Sequence, residues 1–130
     1  MNQKRILIVD DDKDFQSVLV DKLKNSGFDV LIANDGDEGV QKAEELMPDL
    51  ILMDVKMPNL DGVQSMIKLK ENKKTKDIKI VFLTAFGDPQ PDIYNNDKRF
   101  AEELGAFDYL LKTQDLEEIL EKVKELISKK

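Results

Sequence analysis

Short apolar runs alternate with longer stretches of helical period along this chain. Leu50-Ile51-Leu52-Met53 is unbroken and ends on Asp54, and Ile6-Leu7-Ile8-Val9 is unbroken and ends on Asp10-Asp11-Asp12. Runs without polar alternation belong to strands buried on both faces, the habit of parallel sheets. The predicted strands are Arg5–Val9, Asp29–Ala33, Leu50–Met53, Ile78–Leu83 and Ala106–Leu111. Between them the period becomes helical. Asp12 caps a first helix with Phe15, Val18, Leu19 and Leu23 on its apolar stripe, and Ser26-Gly27 stops it. Asp35 and Glu38 form a capping-box pattern for a second helix that turns Val40, Ala43, Leu46 and Met47 inward and closes at Pro48. Asp61-Gly62 opens a third, with Val63, Met66 and Ile67 inside. An irregular loop from Phe86 to Asp97 precedes a fourth helix, which buries Phe100, Ala101 and Leu104 before Gly105. Asp115 and Glu118 repeat the capping-box pattern for a fifth, with Leu116, Ile119, Leu120, Val123, Leu126 and Ile127 at helical spacing.

Five strands alternating with five helices predict an α/β fold: a doubly wound parallel sheet of flavodoxin-like type, with right-handed crossovers. The strand order 2-1-3-4-5 places the first and third strands side by side, so their terminal carboxylates meet at one edge. That edge is where open α/β sheets bind ligands. Clustered acids in a dry cleft repel by about 4 kcal/mol per pair at 4 Å and an effective dielectric near 20. A fold keeps such a cluster when a divalent cation or a lysine offsets it. Helix capping by aspartate accounts for Asp12 and one more acid at most, not for acids at the ends of two separate strands.

Length and charge narrow the function. At 130 residues the chain is expected to be one domain, residues 1–130, with no output domain. There are 20 Lys plus Arg against 27 Asp plus Glu, a net charge of -7, which argues against direct nucleic-acid binding. Without cysteine, neither disulfides nor thiolate metal sites arise. Without histidine, the chain is not itself a histidine phosphodonor. No stretch reads as a signal peptide or reaches membrane-spanning length, so a cytoplasmic protein with no membrane insertion is expected.

Candidate chemistry gathers at the strand ends: Asp10 and Asp11 after the first, Asp54 after the third, Thr84 after the fourth and Lys112 after the fifth. Magnesium binds through few carboxylates and favours phosphate oxygens as further ligands. A carboxylate flanked by magnesium and an ammonium can accept a phosphoryl group, because both cations neutralise the developing charge. Thr84 can donate a hydrogen bond to a phosphoryl oxygen. Singly, Thr84 is a residue satisfying backbone at a strand end and Lys112 a surface cation. Together, in this order, they point to one site.

The segments ILIVDDD, DLILMDVKMPNLDG, IVFLTA and GAFDYLLK, followed by DLEEIL, carry a resemblance over essentially the whole chain. The sequence resembles the receiver domains of two-component response regulators, in the stand-alone manner of chemotaxis regulators. The resemblance implies that Asp54 is the phosphoacceptor, that Asp11 ligates Mg2+ directly, that Asp10 acts through water and that residue Lys56 supplies a backbone carbonyl ligand. It implies that Thr84 and Lys112 hold the phosphoryl oxygens and that Tyr109 is the aromatic switch that turns inward on activation. The plain alternative for Tyr109 is an ordinary surface tyrosine on the fifth strand. The implied donor is a phosphohistidine on a sensor histidine kinase or a histidine phosphotransfer protein. The implied output face lies around the fourth helix, fifth strand and fifth helix, for an unknown downstream protein target, with the chain a monomer or a weak phosphorylation-dependent dimer.

Two features depart from the family pattern. Lys112-Thr113-Gln114 stands where Lys-Pro-Phe with a cis peptide is usual; a cis non-proline bond costs ~3 kcal/mol, so a trans bond is expected. The loop after Thr84 is also several residues longer than usual. The positions that flank the path of the hydrolytic water in the family are Lys56 and Phe86 here. Neither carries the amide or carboxylate that orients water, so slow loss of the phosphate is expected. Two other functions stay open at this point. A magnesium-dependent aspartyl-phosphate hydrolase would place an acid where Lys56 stands. A degenerate receiver acting only as a binding module would not need the intact acids, Thr84 and Lys112.

Overall fold

The computed structural model describes residues 3–55, 57, 60–84 and 106–129. At the centre of its sheet, β1 (Arg5–Val9) lies beside β3 (Leu50–Asp54). β2 (Asp29–Ala33) flanks β1, while β4 (Lys79–Thr84) and β5 (Asp108–Leu111) continue beyond β3. All the pairings are parallel, in the predicted order β2-β1-β3-β4-β5. Between the strands run α1 (Lys13–Asn25), α2 (Gly36–Leu46) and α3 (Gly62–Glu71), and α4 (Leu116–Ser128) follows β5. The expected helix ending at Leu104 and the loop Phe86–Asp97 lie outside the described residues, so α4 is the fifth helix of the sequence reading.

The unbroken apolar runs are buried because both sheet faces are covered. Ile6, Ile8, Leu50, Leu52, Val81 and Leu83 pack with Leu19, Leu23, Ile119 and Val123 of α1 and α4. Leu7, Val9, Ile51, Met53, Ile80 and Phe82 pack on the other face with Ala43, Met66 and Leu69 of α2 and α3. Burying each such side chain stabilises the fold by about 1.5–3 kcal/mol.

Three apolar residues expected inside face solvent instead. Val18 is 48% exposed, Met47 44% and Ile67 38%. α1 buries Gln16, Leu19, Val20 and Leu23, which leaves Val18 on the far side of that stripe. Met47 is the C-cap of α2, and its left-handed φ of 48° takes it out of helical phase. α3 turns Ser65, Met66 and Leu69 inward, and Ile67 lies off that face.

The helix ends follow local chemistry. Asp12 accepts hydrogen bonds from the backbone of Asp14 and Phe15, capping α1 as expected. At the other end Gly27, with φ of 97°, closes a Schellman motif in which Gly27 N donates to Lys24 O and Phe28 N to Leu23 O. Neither expected capping box closes. Asp35 accepts from Glu38 N, but the Glu38 carboxylate accepts from Asn34 N and pairs with Lys42. Asp115 accepts from Glu117 N rather than from Glu118. A reciprocal box forms at α3, where Asp61 accepts from Gln64 N at 2.8 Å and Gln64 Oε1 accepts from Asp61 N at 3.1 Å. Its signal, Asp-x-x-Gln ahead of an apolar stripe, was present in the sequence. β4 begins and ends one residue later than expected, and β5 starts at Asp108 rather than Ala106.

Candidate functional site

The register places the acids. Val9 pairs with Met53 and Asp54 with Leu83, so Asp10 leaves β1 beside the end of β3, and Thr84 follows one residue past the partner of Asp54. Asp10 is fully buried. Its amide donates to Ala33 O at 3.1 Å, and its Oδ1 accepts from Asp12 N at 2.9 Å. Buried Gln16 fastens the same spot, with Nε2 donating to Asp10 O at 3.1 Å and Ala33 O at 3.3 Å. Asp54 and Thr84 are buried, and Asp11 is exposed at the mouth.

Lys112 is held from its backbone outward. Its amide donates to Thr84 O at 2.7 Å, extending the β4–β5 pairing. Gln114 then locks the turn, with Oε1 accepting from Leu111 N and its own amide donating to Leu111 O. No cis peptide bond occurs among the described residues, as expected for Lys112-Thr113-Gln114. The ammonium reaches the acids by this route, 2.7 Å from Asp10 Oδ2 and 3.1 Å from Asp54 Oδ2. Its Nζ also lies 5.0 Å from the centre of the Phe15 ring.

The loop after β3 folds back closely, with Gly62 N donating to Val55 O at 2.9 Å. A Cβ at Gly62 would stand 2.4 Å from the Asp54 carbonyl oxygen, so a side chain there would push the loop away from the acid. Lys56 and Phe86 lie outside the described residues. Tyr109 is 6% exposed and meets Phe82, its register partner, edge-on at 6.4 Å between ring centres. It is therefore packed inward and is not the surface tyrosine of the alternative reading.

Burial, and then the charge of Asp10, push the Asp54 pKa up from 3.8 to about 7 against the pull of Lys112. For Lys112, burial opposes the charged form. The close contact with Asp10 and the charges of Asp54 and Asp10 outweigh it and raise its pKa above the usual lysine value.

One carboxylate oxygen each from Asp10, Asp11 and Asp54 lie within 4.8 Å of one another. Among the described residues, Asp10 Oδ2 is buried without a well-directed hydrogen bond and is paired with the charge of Lys112. Converging hard oxygen donors with one such orphaned atom, more negative than a single lysine balances, suit a small divalent cation such as Mg2+.

A family model for the response regulator receiver domain matches residues 6–124. The chain belongs to the response regulator receiver domain family. Members of this family accept a phosphoryl group on aspartate from histidine kinases and bind Mg2+ in an acidic pocket. Among relatives, the DNA-binding dual master transcriptional regulator RpaA of Synechocystis is 39% identical over 95% of this chain and 48% of its own length. The alkaline phosphatase synthesis regulator PhoP of Bacillus subtilis is 38% identical over 95% of this chain and 48% of its own. The chain thus spans about half the length of the curated relatives it matches. A CheY-like receiver domain structure from Methanospirillum hungatei superposes with a TM-score of 0.83 at 30% identity, covering 97% of this chain and 94% of that one. Among the described residues, no helix is long and apolar enough to cross a membrane.

Proposed function

We infer that this receiver domain is a phosphoacceptor switch in which Asp54 takes a phosphoryl group from a phosphohistidine on a sensor kinase or phosphotransfer protein. The observation that carries the reading is the placement of one ammonium, Lys112 Nζ, 2.7 Å from Asp10 and 3.1 Å from Asp54 inside a cluster of three acids. In the transfer an Asp54 oxygen bonds to phosphorus as the bond from phosphorus to imidazole nitrogen breaks, and the imidazole keeps the electron pair. Asp10, Asp11, Asp54 and the carbonyl of residue 56 would hold Mg2+, which when bound neutralises charge on the phosphoryl oxygens. Lys112 supplies a second positive charge from the β5 side, and the Thr84 hydroxyl donates to a phosphoryl oxygen. Tyr109, packed on Phe82, reports the change to an output face around β5, α4 and the fourth helix of the sequence reading, where a downstream protein binds. Dependence on phosphohistidine donors made from ATP supports a cytoplasmic site of action.

Incubation with acetyl phosphate and Mg2+ should give a stoichiometric phosphate adduct by intact mass, absent from Asp54→Asn. Steady phosphate release without an adduct would instead mark a hydrolase, and no reaction a binding module. Reset is slow on this reading, because Lys56 and Phe86 have no amide or carboxylate to orient water. After donor removal the adduct should outlast several minutes. Phe86→Glu with Lys56→Asn should shorten its life by roughly two orders of magnitude, the usual worth of a positioning hydrogen bond. Decay of the parent within seconds, or no change in the double variant, would end that account.

A further inference from the structure

Among the described residues the ammonium of Lys112 has neighbours of two kinds: the carboxylates of Asp10 at 2.7 Å and Asp54 at 3.1 Å, and the Phe15 ring at 5.0 Å. Both carboxylates change partners during the proposed reaction. A bound cation would draw on the charge of both Asp10 and Asp54 before transfer, so each attracts the ammonium less until the phosphoryl oxygens arrive. The ring's attraction does not depend on either event. An aromatic face within about 6 Å attracts a cation through its quadrupole, and more strongly where water is excluded. Lys112 meets that condition, since its side chain is only 13% exposed.

Phe15 is itself fixed in place. It occupies the first turn of α1, its amide donates to Asp12 Oδ1 at 3.2 Å, and its ring packs against the core beneath β1 and β3. In the sequence Phe15 read only as a member of an apolar stripe, and its second contact depends on a residue 97 positions away (112 minus 15).

We propose that Phe15 is a positioning residue for phosphoryl transfer: its ring holds the Lys112 ammonium in the cleft while Asp10 and Asp54 are engaged elsewhere. The inference rests on the phosphoacceptor reading above. A ring that only packs and a ring that also attracts charge are separated by fluorination, which weakens the quadrupole while nearly preserving shape. The full chain is made with Phe15 replaced in turn by 4-fluoro-, 3,5-difluoro- and 3,4,5-trifluorophenylalanine. Adduct formation from acetyl phosphate and Mg2+ should slow stepwise, with the logarithm of the rate linear in ring potential and roughly a tenfold loss at the last member. Phe15→Leu should match that last member. In metal-free protein the Lys112 Hε protons should show an upfield ring-current NMR shift, and Phe15→Leu should abolish it. Rates equal within twofold or rising across the series, or Lys112 protons without a ring-current shift, would overturn the proposal. If the parent forms no adduct, the phosphoacceptor reading fails, whereas a phosphorylating parent with a flat series fails this inference alone.

Discussion

Lys112→Met should destabilise the metal-free protein by about 3–5 kcal/mol near neutral pH and slow phosphorylation of Asp54 about a hundredfold or more. The stability loss follows from what the substitution leaves behind. Asp10 is fully buried, and its Oδ2 has Lys112 as its charge partner without a well-directed hydrogen bond. Removing one member of such a pair strands the other charge in low dielectric. Protonating Asp54, whose pKa lies at about 7 in the parent, lowers the negative charge of the cluster, so the deficit should shrink at pH 5. Mg2+ at a hundredfold excess over its Kd adds about 2.7 kcal/mol if it binds only the folded state, and should restore part of the loss. The kinetic loss is separate, because methionine brings no positive charge to the phosphoryl oxygens. Urea denaturation with EDTA and with Mg2+, alongside intact-mass kinetics with acetyl phosphate, measures both. A variant as stable as the parent in EDTA would show that Lys112 does not offset the acids.

Asp54→Asn should act in the opposite direction and stabilise the metal-free fold by a few kcal/mol at pH 8. Burial and the charge of Asp10 outweigh the attraction of Lys112, which is why the Asp54 pKa rises from 3.8 to about 7. The folded protein therefore holds a proton on Asp54 that the unfolded chain releases. This contribution to stability is complete below pH 4 and is lost as pH rises through about 7. Asparagine has no such proton. The advantage of Asp54→Asn should be small at pH 4, grow between pH 4 and 7 and level off above. The measurement is thermal or urea unfolding in EDTA across that range. Parallel stability curves for parent and variant would sink this account. Mg2+ should stabilise the parent more than the variant, because the substituted side chain offers a neutral amide oxygen where the parent offers a carboxylate.

The central strands were legible residue by residue. β1 and β2 fall on the expected residues and β3 within one, because their runs have no alternation that a helix could use. The sheet order and the meeting of Asp10, Asp11 and Asp54 followed from that pattern and are present in the structure. Helix faces were less legible. Val18, Met47 and Ile67 are apolar and near the right period, yet the inward arc of each helix is set by the sheet beneath it. Gln16 is no part of the apolar stripe of the first helix, yet it is buried, where its amide donates to the carbonyls of Asp10 and Ala33. Glu38 and Asp35 had the spacing of a capping box, but competition from Asn34 and Lys42 took the glutamate away.

By itself the sequence determined the alternation of strand and helix, the central position of the two acid-tipped strands, and which residue types stand at their ends. Those are properties of nearest neighbours and short periods, and burial of apolar runs leaves few other arrangements. Only the tertiary structure decided where charges end up relative to one another. The Lys112 ammonium lies between Asp10 and Asp54 because the turn through Gln114 aims it there, although the usual proline is missing. Tyr109 is packed on Phe82 rather than exposed because β5 pairs with β4 in that register. The Phe15 ring meets Lys112 because α1 and the end of β5 converge at the same edge of the sheet. Distances of a few ångströms between residues far apart in sequence set the energies of this site, and no local pattern encodes them.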